Sequence, residues 1–196
     1  MSAPPAAPSG PPPPSGSGCT SVTRTPSVIE DEAVRPSDRP WLDTSDARTV
    51  DGQAASAEFY GSNSVSSSLY ARDFGLGIPA GATIKGITVQ IKRSATGTHV
   101  KDLVLFLVKV GAIGSGLKGT AVQTQYTDDY SKQGYWPTGG YTTATYGSAT
   151  NMWGTTLAPA NLNAPSFGVY LAVANWTAGG ATARIDAVTL TVNYCN

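Results

Sequence analysis

The chain is short of the residues that most chemistry and most targeting depend on. A single histidine, two cysteines and two methionines occur in 196 residues. Structural zinc wants four Cys or His ligands at short spacings, and Cys19, Cys195 and His99 are too few and too scattered to supply them. Triad-type catalysis would have to use His99, which follows Gly97-Thr98 in an expected turn. No Gly-x-Ser-x-Gly elbow or other nucleophile context accompanies it. Blocks of one charge are missing too: thirteen Lys and Arg balance thirteen Asp and Glu, and the formal charge is zero. No phosphate-neutralising surface is expected, which argues against nucleic acid as a partner. The longest apolar run, Leu103 to Val108, has a strand's length and falls well short of the ~20 residues of a membrane helix. The stretch Met1 to Pro5 has no basic flank and no apolar run, so no secretory signal is expected there.

Weak matches to known sites do not survive inspection. Gly111 to Thr120, GAIGSGLKGT, misses the phosphate-loop spacing and precedes no expected helix, so it reads as a flexible connection. Asp128-Asp129 offers two carboxylates where calcium wants six or more oxygen ligands, and a solvated turn is the simpler reading. No rule selects a facing carboxyl pair of the glycosidase kind among Glu58, Asp73, Asp102, Asp128, Asp129 and Asp186. No catalytic residue, metal or cofactor is therefore expected.

What is present points to strands. Gly, Ser, Thr, Ala, Val and Tyr dominate while Lys, Glu, Met and Leu are sparse, which favours β-structure and turns over helix. Residues 1–18 are almost devoid of groups that could be buried, and Pro11 to Pro14 favours polyproline II. Residues 19–50 carry mixed charge, with Pro26, Pro36 and Pro40 spaced through them and apolar residues of no sustained period. Together residues 1–50 read as an extended, proline-rich N-terminal arm, and 51–196 as the folded domain.

Within that domain, strands are expected at Ala54 to Tyr60, Ser67 to Phe74, Thr83 to Arg93, Val100 to Val110, Thr120 to Tyr126, Tyr141 to Tyr146, Phe167 to Ala174 and Ala181 to Tyr194. A helical turn is expected after Pro159. In the last strand Ile185 has the opposite parity to Val188, Leu190, Val192 and Tyr194, which a bulge near Asp186 to Val188 would reconcile. The spacing predicts an all-β protein, an antiparallel β-sandwich of jelly-roll rather than immunoglobulin type, since the Cys-Trp-Cys pattern is absent.

Two groups of residues remain as candidates. Aromatics gather in the loop-rich part, with Tyr130, Tyr135, Trp136, Tyr141 and Trp153 the candidate contacts. Flat rings beside polar loops serve as protein-interface anchors, as packing for long loops or as sugar platforms; the interface reading comes first and the others stay open. Cys19 and Cys195 flank the domain almost end to end. They could pair with each other, worth about 4 to 5 kcal/mol in the chain-entropy treatment, pair between copies, or stay as free thiols. The formal glycosylation acceptor Asn175-Trp176-Thr177 reads as a chance match.

The stretch Phe74 to Val89, FGLGIPAGATIKGITV, resembles a phrase in structural proteins of tailed bacteriophages and prophages. Ala149 to Gly154, Leu157 to Asn163, Phe167-Gly168-Val169 and Ala183 to Val188 are similar to the same proteins in the same order, covering about residues 55 to 194. The resemblance implies a non-enzymatic virion subunit that decorates, links or stabilises a head, neck or collar. It also implies other virion proteins as partners, several copies per particle and assembly in the bacterial host cytoplasm. It carries over no site residues. The alternative is a carbohydrate-binding or host-adhesion module using the loop aromatics.

Overall fold

The computed structural model describes residues 18–109, 119–121, 134–176 and 178–196, the segment 119–121 for its backbone alone. The described strands run β1 Cys19–Arg24, β2 Val28–Glu32, β3 Trp41–Leu42, β4 Ala55–Phe59, β5 Ser64–Val65, β6 Ser68–Arg72, β7 Thr83–Ala95, β8 Val100–Val108, β9 Gly119–Ala121, β10 Thr142–Gly147, β11 Gly168–Asn175 and β12 Ala181–Cys195. A 3-10 turn at Thr44–Ala47 and one helical turn, α1, at Pro159–Leu162 complete the list of regular elements. All ladder pairs between these strands are antiparallel. Sheet A has the order β10-β7-β12-β4-β3, with β1 also on β12; sheet B has β2-β6-β11-β8-β9, with β5 on β11. Successive strands hop between the sheets, from β6 to β7, β7 to β8, β10 to β11 and β11 to β12. The protein is an antiparallel β-sandwich of the kind the strand spacing predicts.

Period-two alternation builds its core. Ile87, Val89 and Ile91 of β7 and Val188, Leu190 and Val192 of β12 point inward from sheet A. Leu105 and Leu107 of β8 and Val169, Leu171 and Val173 of β11 meet them from sheet B. Each large side chain so buried contributes roughly 1.5–3 kcal/mol. The outer face of sheet B has its own small apolar cluster, with Phe106 stacked on Tyr170 at 4.5 Å beside Tyr70. Burial pushes the Tyr70 phenol up to about 12.

Among the described residues the sandwich already includes Cys19 to Leu42, so the expected arm boundary at residue 50 is corrected. β1 lies along β12 from Cys19↔Cys195 to Arg24↔Leu190, and β2 lies along β6 from Val28↔Arg72 to Glu32↔Ser68. Trp41, 3% exposed, sends its indole N–H to the Ser67 carbonyl at 2.9 Å, while its backbone N–H donates to Asp31 at 2.7 Å. These elements escape periodicity because they are short edge strands. β1 buries no residue fully, and β2 and β3 bury one each, Ile29 and Trp41. Residues 1–17 lie outside the described residues.

Cys19 and Cys195 form a disulfide within the chain, across the first pair of β1 and β12, with Cα atoms 4.0 Å apart and a sequence separation of 176. Intermolecular pairing and free thiols are thereby set aside for this fold. In the chain-entropy treatment such a closure disfavours the unfolded state by about 5 kcal/mol.

The stretches that carry the phage resemblance hydrogen-bond to one another. Asn163 donates to the Ile78 carbonyl at 2.8 Å and accepts the Ile78 N–H at 2.9 Å. Trp153 donates its indole N–H to the Ile87 carbonyl at 2.7 Å, and the Ile87 N–H donates to the Asn151 carbonyl at 3.0 Å. Phe74, Leu76 and Ile78 are buried, with Gly75 and Gly77 between them at φ +56° and +64°, a backbone region that suits glycine. Gly147 has φ +74°, and a Cβ there would sit 2.3 Å from the Ile87 carbonyl oxygen. These motifs interlock the fold.

The expected bulge in β12 falls between Ile185 and Ala187. It turns Asp186 into the protein, with 0% exposure, where one oxygen accepts the N–H groups of Asp51 and Gly52, each at 3.2 Å. The other oxygen lies 2.6 Å from the Lys92 ammonium. Burial works against the carboxylate, but the bonds from Lys92, Gly52 and Asp51 and the lysine charge outweigh it and hold the carboxyl below the usual aspartate value. A depressed folded pKa means stability that is complete above the unfolded value near 4 and is lost as pH falls through the lower folded value. Asp186→Asn is expected to lower the thermal midpoint at pH 7 and to flatten the acid limb of its pH profile. Parallel acid limbs for variant and wild type in scanning calorimetry would show that Asp186 contributes no such linkage.

Candidate functional site

One end of the sandwich gathers five connections: residues 33–40, 60–63, 96–99, 134–141 and the described part of 176–180. Register places them together, because Phe59 pairs with Ala181, Ala183 with Ala95 and Asn175 with both Val100 and Ser64. Hydrogen bonds then stitch the connections to one another. The Asn175 amide, fully buried, donates to the carbonyls of Gly61 at 3.2 Å and Gly179 at 2.8 Å. Trp136 N–H donates to Val100 and Ala95 N–H to Pro137, both at 2.8 Å, and Trp176 N–H reaches the His99 carbonyl at 3.2 Å. Thr182 N–H donates to the Thr96 hydroxyl at 2.8 Å. A platform held this way loses little entropy when it meets a ligand.

Two aromatic rings of the described residues are exposed, Tyr60 at 70% and Tyr135 at 47%, and both sit at this end. Tyr60 follows β4 directly, just before the Gly61-Ser62-Asn63 turn. Its hydroxyl donates to Glu58 at 2.8 Å, and the Arg39 guanidinium lies 4.9 Å from its ring centre. Arg39 is set in place by its backbone, whose N–H donates to Val65 at 2.8 Å and whose carbonyl accepts from Ser67 at 2.6 Å. Tyr135 meets the edge of His99 at 4.7 Å, and the Lys101 ammonium stands 5.4 Å from its centre and 5.7 Å from that of Trp176. Burial holds the Lys101 ammonium below the ordinary lysine value.

Beneath the platform a polar knot ties the sheets together. Asp102 of β8 pairs with Arg93 of β7, and it accepts the Trp136 indole N–H at 3.0 Å and the Tyr146 hydroxyl at 2.8 Å. Arg93 also donates to that hydroxyl at 2.6 Å. Burial, with the Asp102 charge next, pushes the Tyr146 phenol well above its ordinary value. The carboxylate is thus committed to three partners and serves as a tie between sheets.

The expected aromatic contacts divide accordingly. Tyr135 is on the platform, and Tyr141 is half-buried with the Lys92 ammonium 5.6 Å from its ring centre. Trp136 and Trp153, at 2% and 1% exposure, are corrected from contact residues to core. Each indole N–H has a partner inside the fold, Asp102 and the Ile87 carbonyl, so both rings turn inward. Tyr130 and Asp128-Asp129 lie outside the described residues. Asn175, whose acceptor pattern reads as a chance match, is fully buried and serves as a loop staple. Tyr60, Glu58 and Arg39 were not singled out by the sequence, where the one usable signal was a tyrosine set directly before a turn. Among the described residues no group of three or more His, Cys, Asp or Glu side chains could hold a metal ion.

No protein-family model matches the chain, and no curated protein matches it. Among solved structures it is similar to one described by the words "CBM4 structure and function", at 13% identity and a TM-score of 0.38, over 87% of this chain and 92% of that one. It is also similar to a protein of Bacteroides thetaiotaomicron VPI-5482 to which sugar binding has been ascribed, at 12% identity and a TM-score of 0.43, over 85% and 88% of the two chains. At these scores neither bears on what this chain binds.

The staple sets the order of the platform. Asn175→Ala removes the amide bonds to the Gly179 carbonyl and to the Gly61 carbonyl, the latter keeping the Ser64 hydroxyl, and is expected to destabilise the protein by about 1–3 kcal/mol. Amide hydrogen exchange should speed up in residues 60–63 and 178–180 while β7 stays protected, and unchanged exchange in those turns would show that they are held by other means.

Proposed function

We propose that this chain is a non-catalytic carbohydrate-binding module that takes its ligand at the loop end of the sandwich. The observation that carries the reading is the presence at that end of Tyr60 and Tyr135, the two exposed rings among the described residues, each beside fixed polar groups. A pyranose presents an apolar C–H face and a rim of hydroxyls. Exposed tyrosine rings suit the first, while Glu58 as acceptor and Arg39 as donor suit the second. An open platform with few contacts gives weak binding, on the order of millimolar to micromolar for one site. Tyr60→Ala and Tyr135→Ala are each expected to weaken binding of a glycan identified on an array by about tenfold, near 1.4 kcal/mol, with the thermal midpoint little changed. Titration calorimetry of wild type and both variants makes the check. Failure to bind any glycan, or binding indifferent to both tyrosines, would overturn the proposal.

A second reading is favoured by the run of phrases from Phe74 to Val188: a subunit of a tailed-phage particle, present in several copies. Those phrases support it as a likeness of folded framework, since their residues are engaged with one another inside the protein. The two readings are compatible in a module displayed on a particle that touches glycans of its host. Mass spectrometry of purified particles is expected to find the chain, and deletion of residues 1–17 to remove it from particles while leaving the domain folded. Its absence from particles, or incorporation without residues 1–17, would count against the anchored-subunit reading.

A further inference from the structure

The disulfide, the strand order and the position of the platform carry a mechanical consequence. β1 is a strand of six residues with no fully buried side chain, and among the described residues its only strand partner is β12. β12 is the longest strand, with fifteen residues, paired to β7 along one edge and to β4 and β1 along the other. Cys19 is the first residue of β1 and is bonded to Cys195 at the end of β12, and the Asn196 N–H donates to the Gly18 carbonyl at 3.4 Å. Residues 18 and 196 therefore meet at one point of the sandwich. That point and the platform lie at opposite ends of sheet A, because Cys195 pairs with Thr83 whereas Ala183 pairs with Ala95. Along β12 the separation is on the order of 40 Å at ~3.3 Å per residue.

We infer that the Cys19–Cys195 bond is a force-transmitting clamp: a pull arriving through residue 18 passes over the sulfur bridge into β12, and the hydrogen bonds of β1 are spared. Pulled between residue 18 and Asn196, the sandwich lies outside the force path altogether. Pulled between residue 18 and the platform, it meets the force through its best-paired strand, and β1 cannot be stripped from the edge. Without the bridge the same pull would strip β1 first, then β2 and the segment holding Trp41, which are attached by short ladders and few buried side chains. The clamp does not depend on sugar being the ligand; the proposed function only supplies the direction of the second pull.

Single-molecule force spectroscopy on the full chain tests this. One handle sits at residue 1 and the other at Asn196 or, by a bioorthogonal group, at Ser62 in the exposed turn after Tyr60. With the Asn196 handle, oxidised protein is expected to show no unfolding step. Protein folded first and then reduced should lengthen by on the order of 600 Å, from the 176-residue separation at ~3.3–3.6 Å per residue. With the Ser62 handle, reduction should introduce an early step on the order of 100 Å as about 30 residues from Cys19 onward peel away. The same step should appear in the C19S/C195S variant, and the reduced wild type stands in if that variant does not fold. A full-length step in oxidised protein pulled from both ends would overturn the clamp. So would identical steps and forces with and without reduction at Ser62, which would leave the disulfide acting on the unfolded state alone.

Discussion

Everything in this fold leans on one strand. β12 carries β7 along nearly its whole length, takes β4 and β1 in succession on its other edge, and ends in the disulfide. Its inward Val188, Leu190 and Val192 form one wall of the core. The bulge at Asp186 breaks the alternation, and the break has a use: it brings a carboxylate inside to hold the backbone of Asp51 and Gly52 and to pair with Lys92. A buried carboxylate is tolerable when it is paired, and here two backbone N–H groups and the Lys92 ammonium meet it. The same irregularity thus fastens the segment between β3 and β4 to the sheet.

Where aromatic rings end up follows from their polar atoms and from what surrounds them. Trp41, Trp136 and Trp153 all lie within loops or very short strands, yet each ring is buried with its N–H satisfied. Tyr60 and Tyr135 remain outside because their rings border turns at the end of the sheets, past the last ladder pairs. Composition treats these five residues alike. Their separation into framework and platform is what turns a general aromatic enrichment into a particular candidate surface.

The phage-like phrases acquire a physical meaning in the same way. Asn151, Trp153 and Asn163 serve the backbone of Ile78 and Ile87, and Gly147 gives the room for Trp153 to do so. These bonds make the phrases part of the framework of the sandwich.

Much of the sandwich was legible from one-dimensional pattern. The strands β4, β6, β7, β8, β10, β11 and β12, the helical turn at Pro159, the bulge near Asp186 and the all-β class follow from alternation, turn residues and parity, because a half-buried strand must alternate wherever it lies. β5 is not among the expected strands, and of the strand expected at Thr120 to Tyr126, residues 122–126 lie outside the described residues. The strands between Cys19 and Leu42 were not legible, since an edge strand anchored by a disulfide or a single tryptophan needs no periodicity. The pairing of Cys19 with Cys195 was one alternative among several until β1 and β12 were brought side by side. Nor could the sequence by itself place Tyr60 with Arg39 and Glu58, or turn Trp136 away from solvent. Those outcomes depend on contacts between residues far apart in the chain, and only the closing of the two sheets brings them together.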